Sequence, residues 1–335
     1  MNTEKTDRPQ IRKIRYAVQW TIFLLVVFAG YRFAVFVDAI EKGNLPAFQR
    51  PPSVEGFLPI GGLMSLKLWA ATGIFDPIHP AAPVILFAAL TLSFVFRKAF
   101  CGWICPVGTF SEAAWKTGQK VLGRTYRIPK YADYALRSLK YLLLAFFMFI
   151  IVVKMSPPQI ISFLETPYWK VADIKMLKFF TEMSTTSKIT LSALVILSLF
   201  YKNFWCRYLC PYGALAGLFG SAGPVRIKRD PDRCIQCGLC AKNCPSLLPV
   251  NKKENVKSPE CTACLTCVSY CPAKGALDIS ILGRKTFRPE IFILLALTLF
   301  YGIIAAAMLT GKWHSSISVA ELHSLTPFLE RLAHP

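Results

Sequence analysis

Apolar residues along this chain gather in long uninterrupted blocks. They do not follow the 3.6- or 2-residue alternation of a half-buried helix or strand. Five blocks stand out: Tyr16–Val37, Pro80–Phe96, Tyr134–Val153, Ile189–Tyr201 and Ile291–Leu309. The second and the last, about 17 to 19 residues each, have the length of a bilayer-spanning helix. The third spans only if Arg137 and Lys140 reach back to the interface, and the fourth needs its flanking residues. The first follows a polar, basic stretch, Met1–Arg15, in the charged-then-apolar order of a signal peptide. Its apolar run exceeds that of a cleavable leader, so it predicts an uncleaved anchor helix. Arg32 near its far end reads either as a side chain reaching the outer interface or as a contact for an anion or quinone headgroup. A further apolar stretch, Gly56–Gly73, is broken by Pro59, Gly61 and Gly62. It reads as a shielded re-entrant half-helix or as an amphipathic helix on the outer surface.

Composition excludes the two-domain soluble protein that 335 residues alone would allow. Hydrophobic residues make up 54% and charged residues 17%, against about 25% charged for soluble chains. The net charge of +20 marks a cytoplasmic face in a membrane protein rather than a nucleic-acid partner. Residues 1–15, 97–140 and 202–290 hold 28 of the 39 Lys and Arg against 10 Asp and Glu; the rest of the chain holds 11 against 9. This contrast places the N-terminus and 202–290 in the cytoplasm. The expected fold is an all-α polytopic membrane domain of about five spans with an inserted small α+β module. Its parts are a cytoplasmic N-terminus over 1–15, a membrane domain over 16–222, a cytoplasmic module over 223–288, a last transmembrane helix over 289–310, and an extracytoplasmic tail over 311–335 with no assigned role.

The module rests on cysteine spacing. Twelve Cys fall in four tight groups. Cys234, Cys237, Cys240 and Cys244 precede Pro245, and Cys261, Cys264, Cys267 and Cys271 precede Pro272. Both are C-x2-C-x2-C-x3-C-P runs, the pattern of a pair of [4Fe–4S] clusters in which the fourth Cys of each run serves the other cluster. One cluster is then expected on Cys234, Cys237, Cys240 and Cys271, and the other on Cys261, Cys264, Cys267 and Cys244. The fourth Cys of each run is expected to begin a short helix. Disulfides are disfavoured in the cytoplasm, and zinc modules usually separate two C-x2-C pairs by a longer spacer. Arg226, Lys228, Arg229, Arg233, Lys252, Lys253 and Lys257 form either a basic docking face or an ordinary consequence of the positive-inside rule.

A second repeat lies at the ends of two apolar blocks. Phe100–Gly108 and Trp205–Gly213 both read aromatic-C-x3-C-P-x-G, 105 residues apart, as an internal duplication would produce. Pro106 and Pro211 suit the first turn of a new helix. Cys105 and Cys210 would then sit at helix N-termini, where the dipole lowers a thiol pKa. Three readings stand for Cys101, Cys105, Cys206 and Cys210: ligands of a membrane-embedded metal or iron–sulfur centre, two redox-active dithiols, or inert packing cysteines.

The four His, His79, His314, His323 and His334, all fall in outer or terminal segments, so no bis-His haem is expected. No C-x-x-C-H, G-x-G-x-x-G or P-loop occurs, so no covalent haem or nucleotide is expected either. Asp76 and His79 read as a Pro-bounded turn or as proton acceptors for a quinol.

Apolar helices, two C-x3-C-P pairs and a double ferredoxin run together resemble the membrane polyferredoxin family. That family includes the quinol-dehydrogenase membrane subunit of periplasmic nitrate reduction, the nitrous-oxide reductase accessory regulator and the cytochrome-oxidase assembly ferredoxin. The resemblance covers roughly residues 10–310 and all twelve Cys, and lies nearest to stand-alone members without further domains. It implies multi-pass insertion in the bacterial inner membrane. It also implies electron transfer between the quinone pool or a cytoplasmic donor and a partner redox protein. The alternative is an accessory protein that reduces a metal or thiol on a client oxidoreductase.

Overall fold

The computed structural model describes residues 8–283 and 285–332. Three helices are long and apolar enough to cross a membrane: Pro9–Glu41, Lys130–Lys154, whose last turn is a π-helix, and Pro289–Leu309. A bent pair, Ala172–Thr181 and Thr185–Phe200, qualifies only when the two parts are joined across a 75° bend. Ala81–Phe96 has 16 residues, about 24 Å at 1.5 Å per residue, short of the ~30 Å hydrocarbon core. The Gly56–Gly73 stretch forms a 3-10 turn, Pro52–Phe57, then a helix of 14 residues, Pro59–Thr72, closed by left-handed Gly73.

The chain divides into two compact units. The first comprises the described residues of 1–23, 89–144 and 192–300, and holds all twelve cysteines. Its sheet has the order β2-β1-β3-β4 and is antiparallel throughout, with β1 Val225–Arg229, β2 Asn255–Val256, β3 Leu277–Ile281 and β4 Lys285–Phe287. Ile227 pairs with Ile279, and Val225, Ile227, Leu277 and Ile279 are buried. This is the period-2 pattern of a half-covered sheet.

Buried ion pairs fasten the apolar helices to this small fold. Lys140 is fully buried and donates to both carboxylate oxygens of Glu260 at 2.7 Å, and Tyr141 donates to the same group at 3.1 Å. Arg207 forms a two-pronged pair with Asp133 at 2.9 and 2.8 Å. A span over Tyr134–Val153 is expected only if Arg137 and Lys140 reach the membrane interface; here Lys140 turns inward to Glu260, and Arg137 stays on its own helix beside Asp133 at 3.1 Å. A buried carboxylate gives a better partner than a distant interface.

The second unit comprises 24–88, 145–191 and the described residues of 301–335. Gly61 lets the Trp169 indole lie flat on its helix; a Cβ there would meet Trp169 Cη2 at 1.9 Å. Phe33, Phe36, Ile40, Ile174 and Leu322 share a second cluster, so the tail helix Val319–Leu325 packs on the first helix. Arg32 stacks on Phe48, 4.6 Å from the ring centroid, which satisfies its charge by a cation–π contact.

In the first unit, Glu112 lies between Arg15 and Lys116, all within hydrogen-bonding reach. Burial alone would raise its pKa; the two cations overcome that and hold it at about 2, against an ordinary 4.5. A depressed carboxylate pKa stabilises the fold above the unfolded value, and that stability is lost as pH falls toward the folded value. The span from 4.5 to about 2 corresponds to roughly 3 kcal/mol. Denaturation in detergent should therefore show stability falling between pH 5 and 2, and Glu112→Gln should remove most of that slope. An unchanged slope would show that the pair is not formed.

Candidate functional site

The two ferredoxin runs fold into matching loops. In the first, Gln236 (φ 52°) and Gly238 (φ 71°) flank Cys237; in the second, Ala263 (φ 45°) and Leu265 (φ 56°) flank Cys264. Left-handed backbone on both sides of the central Cys turns the chain around one point, and it is costly for residues other than Gly. Each loop then enters a one-turn helix, Leu239–Lys242 or Thr266–Ser269, that carries the third Cys of its run. The helix therefore precedes the fourth Cys rather than beginning at it. The left-handed Gly238 and Leu265 stand at the helix N-caps, so the chain reverses earlier than the following prolines suggest.

This geometry brings the eight cysteines together in two fours. Cys234, Cys237, Cys240 and Cys271 line one cavity, together with Ile235, Ala273 and Leu277. Cys244, Cys261, Cys264 and Cys267 line a second, together with Ile227, Leu248 and Val256. Each set takes three thiols from one run and the fourth from the other. All twelve cysteines are free. Among the described residues no group of His, Cys, Asp or Glu is set to hold a single metal ion. Four thiols around an apolar cavity suit a wider cofactor, and a [4Fe–4S] cubane fits that donor set. Burial pushes the Cys244 thiol up to about 12 and the Cys267 thiol well above its usual range. Thiolates there need a bound cation to persist. Cys237 is the exposed member of the eight.

The C-x3-C-P pairs also form as repeats. Ala99–Trp103 and Phe204–Tyr208 are short helices carrying Cys101 and Cys206, while Cys105 and Cys210 cap the helices Pro106–Leu122 and Pro211–Ala222. The four thiols share one electrostatic neighbourhood: Cys105 feels Cys206 and Cys210, and Cys101 feels Cys105 and Cys210. Gly213 N–H donates to Cys210 Sγ at 3.2 Å. The helix N-terminus does not lower these pKa values as the sequence reading expected. Burial raises Cys101, Cys105 and Cys206 to about 12 and Cys210 above its usual range, outweighing the backbone N–H groups that pull the other way.

Two adjacent cations at the end of the Ala81–Phe96 helix escaped the sequence reading. Arg97, buried and left-handed at φ 58°, donates to the carbonyl of Ser258 at 2.7 Å and lies against Cys261. Lys98 is buried and faces Cys101, Cys206 and Cys210. Only their place ahead of Cys101 signals them in the sequence. The two sets of thiols are near neighbours. A Cβ on Gly102 would stand 2.6 Å from the Thr262 carbonyl and 3.4 Å from Cys264 Cβ, and Trp103 Nε1 donates to the Ala263 carbonyl at 3.0 Å.

In the second unit, Asp76 and His79 form a turn, with Asp76 Oδ1 accepting from Ile78 N–H at 2.8 Å, but both side chains are buried. Asp76 Oδ2 accepts from Ser65 and from Trp169 Nε1. His79 Nε2 lies 2.7 Å from the Trp169 carbonyl and its Nδ1 2.7 Å from Arg50 Nη2. A carbonyl only accepts, so the ring carries a proton on Nε2 facing Trp169. Burial pushes the nearby Glu55 carboxyl above its usual range against the pull of His79 and Arg50. These contacts clamp loops of that unit together.

The chain is similar to known proteins over most of its length. A family described as a 4Fe–4S binding domain matches twice, at residues 78–125 and 186–230, once around each C-x3-C-P pair. A 4Fe–4S dicluster domain matches residues 226–272. The chain is 40% identical to YccM of Escherichia coli, whose name describes an electron transport protein, over 96% of this chain and 91% of that one. It is 26% identical to the ferredoxin-type protein NapH of Escherichia coli over 63% of this chain and 76% of that one. It is 29% identical to NirI of Paracoccus denitrificans over 62% of this chain and 29% of that one. No solved structure matches. With twelve cysteines in duplicated pairs and runs, and a relative similar from end to end, the chain belongs to the membrane polyferredoxin family.

Proposed function

We propose that this chain is a membrane-bound iron–sulfur electron-transfer protein, passing electrons between the quinone pool or a cytoplasmic donor and a partner redox protein. Cys234, Cys237, Cys240 and Cys271 hold one [4Fe–4S] cluster; Cys244, Cys261, Cys264 and Cys267 hold a second; Cys101, Cys105, Cys206 and Cys210 hold a further centre. The observation that carries this reading is the pair of separate cavities, each lined by four cysteines drawn from both runs. Bound clusters supply one-electron chemistry at little reorganisation cost. The chain supplies thiolate ligands, apolar walls that exclude water, and contacts that keep the sites close. Cys237 at the surface gives a soluble donor a point of approach. The Gly102–Cys264 contact gives a short route from the second cluster to the membrane-edge thiols.

The further centre is favoured over redox dithiols by one observation. A thiol that exchanges with a client needs an accessible thiolate, and burial raises all four pKa values here. The same point weighs against an accessory protein that reduces a client's thiols. Five spans in the bacterial inner membrane belong to this reading: three helices are long and apolar enough alone, the bent Ala172–Thr181 and Thr185–Phe200 pair adds a fourth, and the shorter apolar helix Ala81–Phe96 with its flanking residues adds a fifth. The excess of Lys and Arg in 1–15, 97–140 and 202–290 supports a cytoplasmic first unit with the N-terminus and ferredoxin module on that side.

Iron and acid-labile sulfide analysis of anaerobically purified full-length protein should give about twelve iron atoms per chain. About eight would remove the further centre, and colourless, iron-free protein would overturn the whole reading. Gly102→Ala forces a methyl against the Thr262 carbonyl, a contact that costs about 1–3 kcal/mol when a packed interior cannot yield. It should lower the melting temperature and change the EPR signal of the Cys244/Cys261/Cys264/Cys267 cluster. Gly30→Ala, with nothing within 4 Å of the added methyl, should leave both unchanged.

A further inference from the structure

Lys98 is a buried cation of the first unit with no direct carboxylate pair among the described residues. Glu260 acts on it through charge but is shared: Lys140 holds both of its oxygens at 2.7 Å, and Tyr141 donates to one of them at 3.1 Å. The Lys98 ammonium points instead toward the duplicated cysteines. A Cβ on Gly213 would lie 3.5 Å from both Lys98 Nζ and Cys210 Sγ, so the cation and the sulfur meet over the same glycine. Gly220 lets the Pro211–Ala222 helix press on the Lys98 backbone, where a Cβ would stand 2.8 Å from Lys98 N. The backbone is thus wedged, and the amine has little room to turn elsewhere. Lys98 itself is only 4% exposed.

A buried ammonium is costly unless anions offset it, and Glu260 is shared with Lys140. Four thiolates around a centre carry a net negative charge, and adding an electron makes it more negative. A fixed positive charge beside it favours the reduced form, which is a higher reduction potential.

Resting on the reading of Cys101, Cys105, Cys206 and Cys210 as ligands, we propose that Lys98 is the charge-compensating residue of that centre and raises its reduction potential. It acts through its charge and holds no ligand position. The duplication supports a specific role. The position 105 residues on is Asn203, which is neutral and donates to the Pro245 carbonyl at 3.4 Å. Only one repeat brings a cation to the thiols at this position.

EPR-monitored redox titration of the full-length protein in detergent, with iron analysis alongside, tests this. Lys98→Met should lower the midpoint of the membrane-edge signal, so that the oxidised-to-reduced ratio at a fixed potential rises at least tenfold, about 59 mV for one electron. Lys98→Arg should restore most of the potential. Glu260→Gln removes a negative charge and frees Lys140, so it should move the midpoint upward, a sign that a merely structural disturbance would not produce. A loaded Lys98→Met protein with an unchanged midpoint overturns the proposal. Should Lys98→Met fail to load the centre, an unchanged midpoint in Glu260→Gln overturns it as well, and an upward shift supports it. Failure of the underlying reading looks different: Cys101→Ser with Cys206→Ser would then leave iron content and every EPR signal as in the parent.

Discussion

A thiolate among apolar side chains is a charge without water, and it persists only where a cation binds it. That constraint organises the cysteine-bearing unit. Burial drives Cys101, Cys105, Cys206 and Cys244 up to about 12, so as free thiols they would be neutral packing groups with little chemistry. Their convergence in fours makes sense once a multi-metal cofactor replaces the protons. The two C-x2-C-x2-C-x3-C-P runs have few side chains to bury, and each cavity sets its four cysteines among apolar side chains. The cofactor then contributes to folding as structural metals do.

The same logic explains which cations are paired and which are not. Lys140, Arg15 and Arg207 each meet a carboxylate, Glu260, Glu112 and Asp133, at hydrogen-bonding distance. The Lys140 pair joins a helix to the small sheet-bearing fold and the other two join helices to one another; removing one partner would strand a buried charge. Arg97 and Lys98 have no such carboxylate to themselves and turn toward cysteines. Sulfur stands where the carboxylate would otherwise be.

Much of this was legible in the sequence. The spacing of the ferredoxin runs anticipated which cysteines come together in fours, because the first three of each run sit on one local loop and the fourth is turned away toward the other run. The prolines after Cys105 and Cys210 gave the helix starts, because proline has few places to go. What escaped depended on distant partners. The Lys140–Glu260 pair was not visible because the two lie 120 residues apart. The thiols at Cys105 and Cys210 were expected to be acidified by a helix dipole, a local effect that loses to burial set by the whole unit. The turn at Asp76 and His79 was visible, but its burial beside Trp169 and Arg50 was not.

The duplication carries one step further than the cysteines. At equivalent positions the first repeat has Gly102 and the second Arg207. Gly102 admits the Thr262–Cys264 loop of the second ferredoxin run; Arg207 reaches the Ser246 carbonyl, just past the first run, at 2.7 Å. Arg97 and Lys202 are likewise 105 residues apart. Arg97 lies against Cys261, while Lys202 donates to the Lys242 carbonyl at 3.2 Å and feels Cys244. One cation from each repeat thus attends the same set of four, Cys244, Cys261, Cys264 and Cys267. The cavity lined by Cys234, Cys237, Cys240 and Cys271 lies outside these contacts, with Cys237 at the surface. Approximate symmetry therefore does not treat the two cavities alike. It centres one of them between the repeats and leaves the other at the edge, the arrangement a relay needs if one end is to meet a partner and the other to meet the membrane.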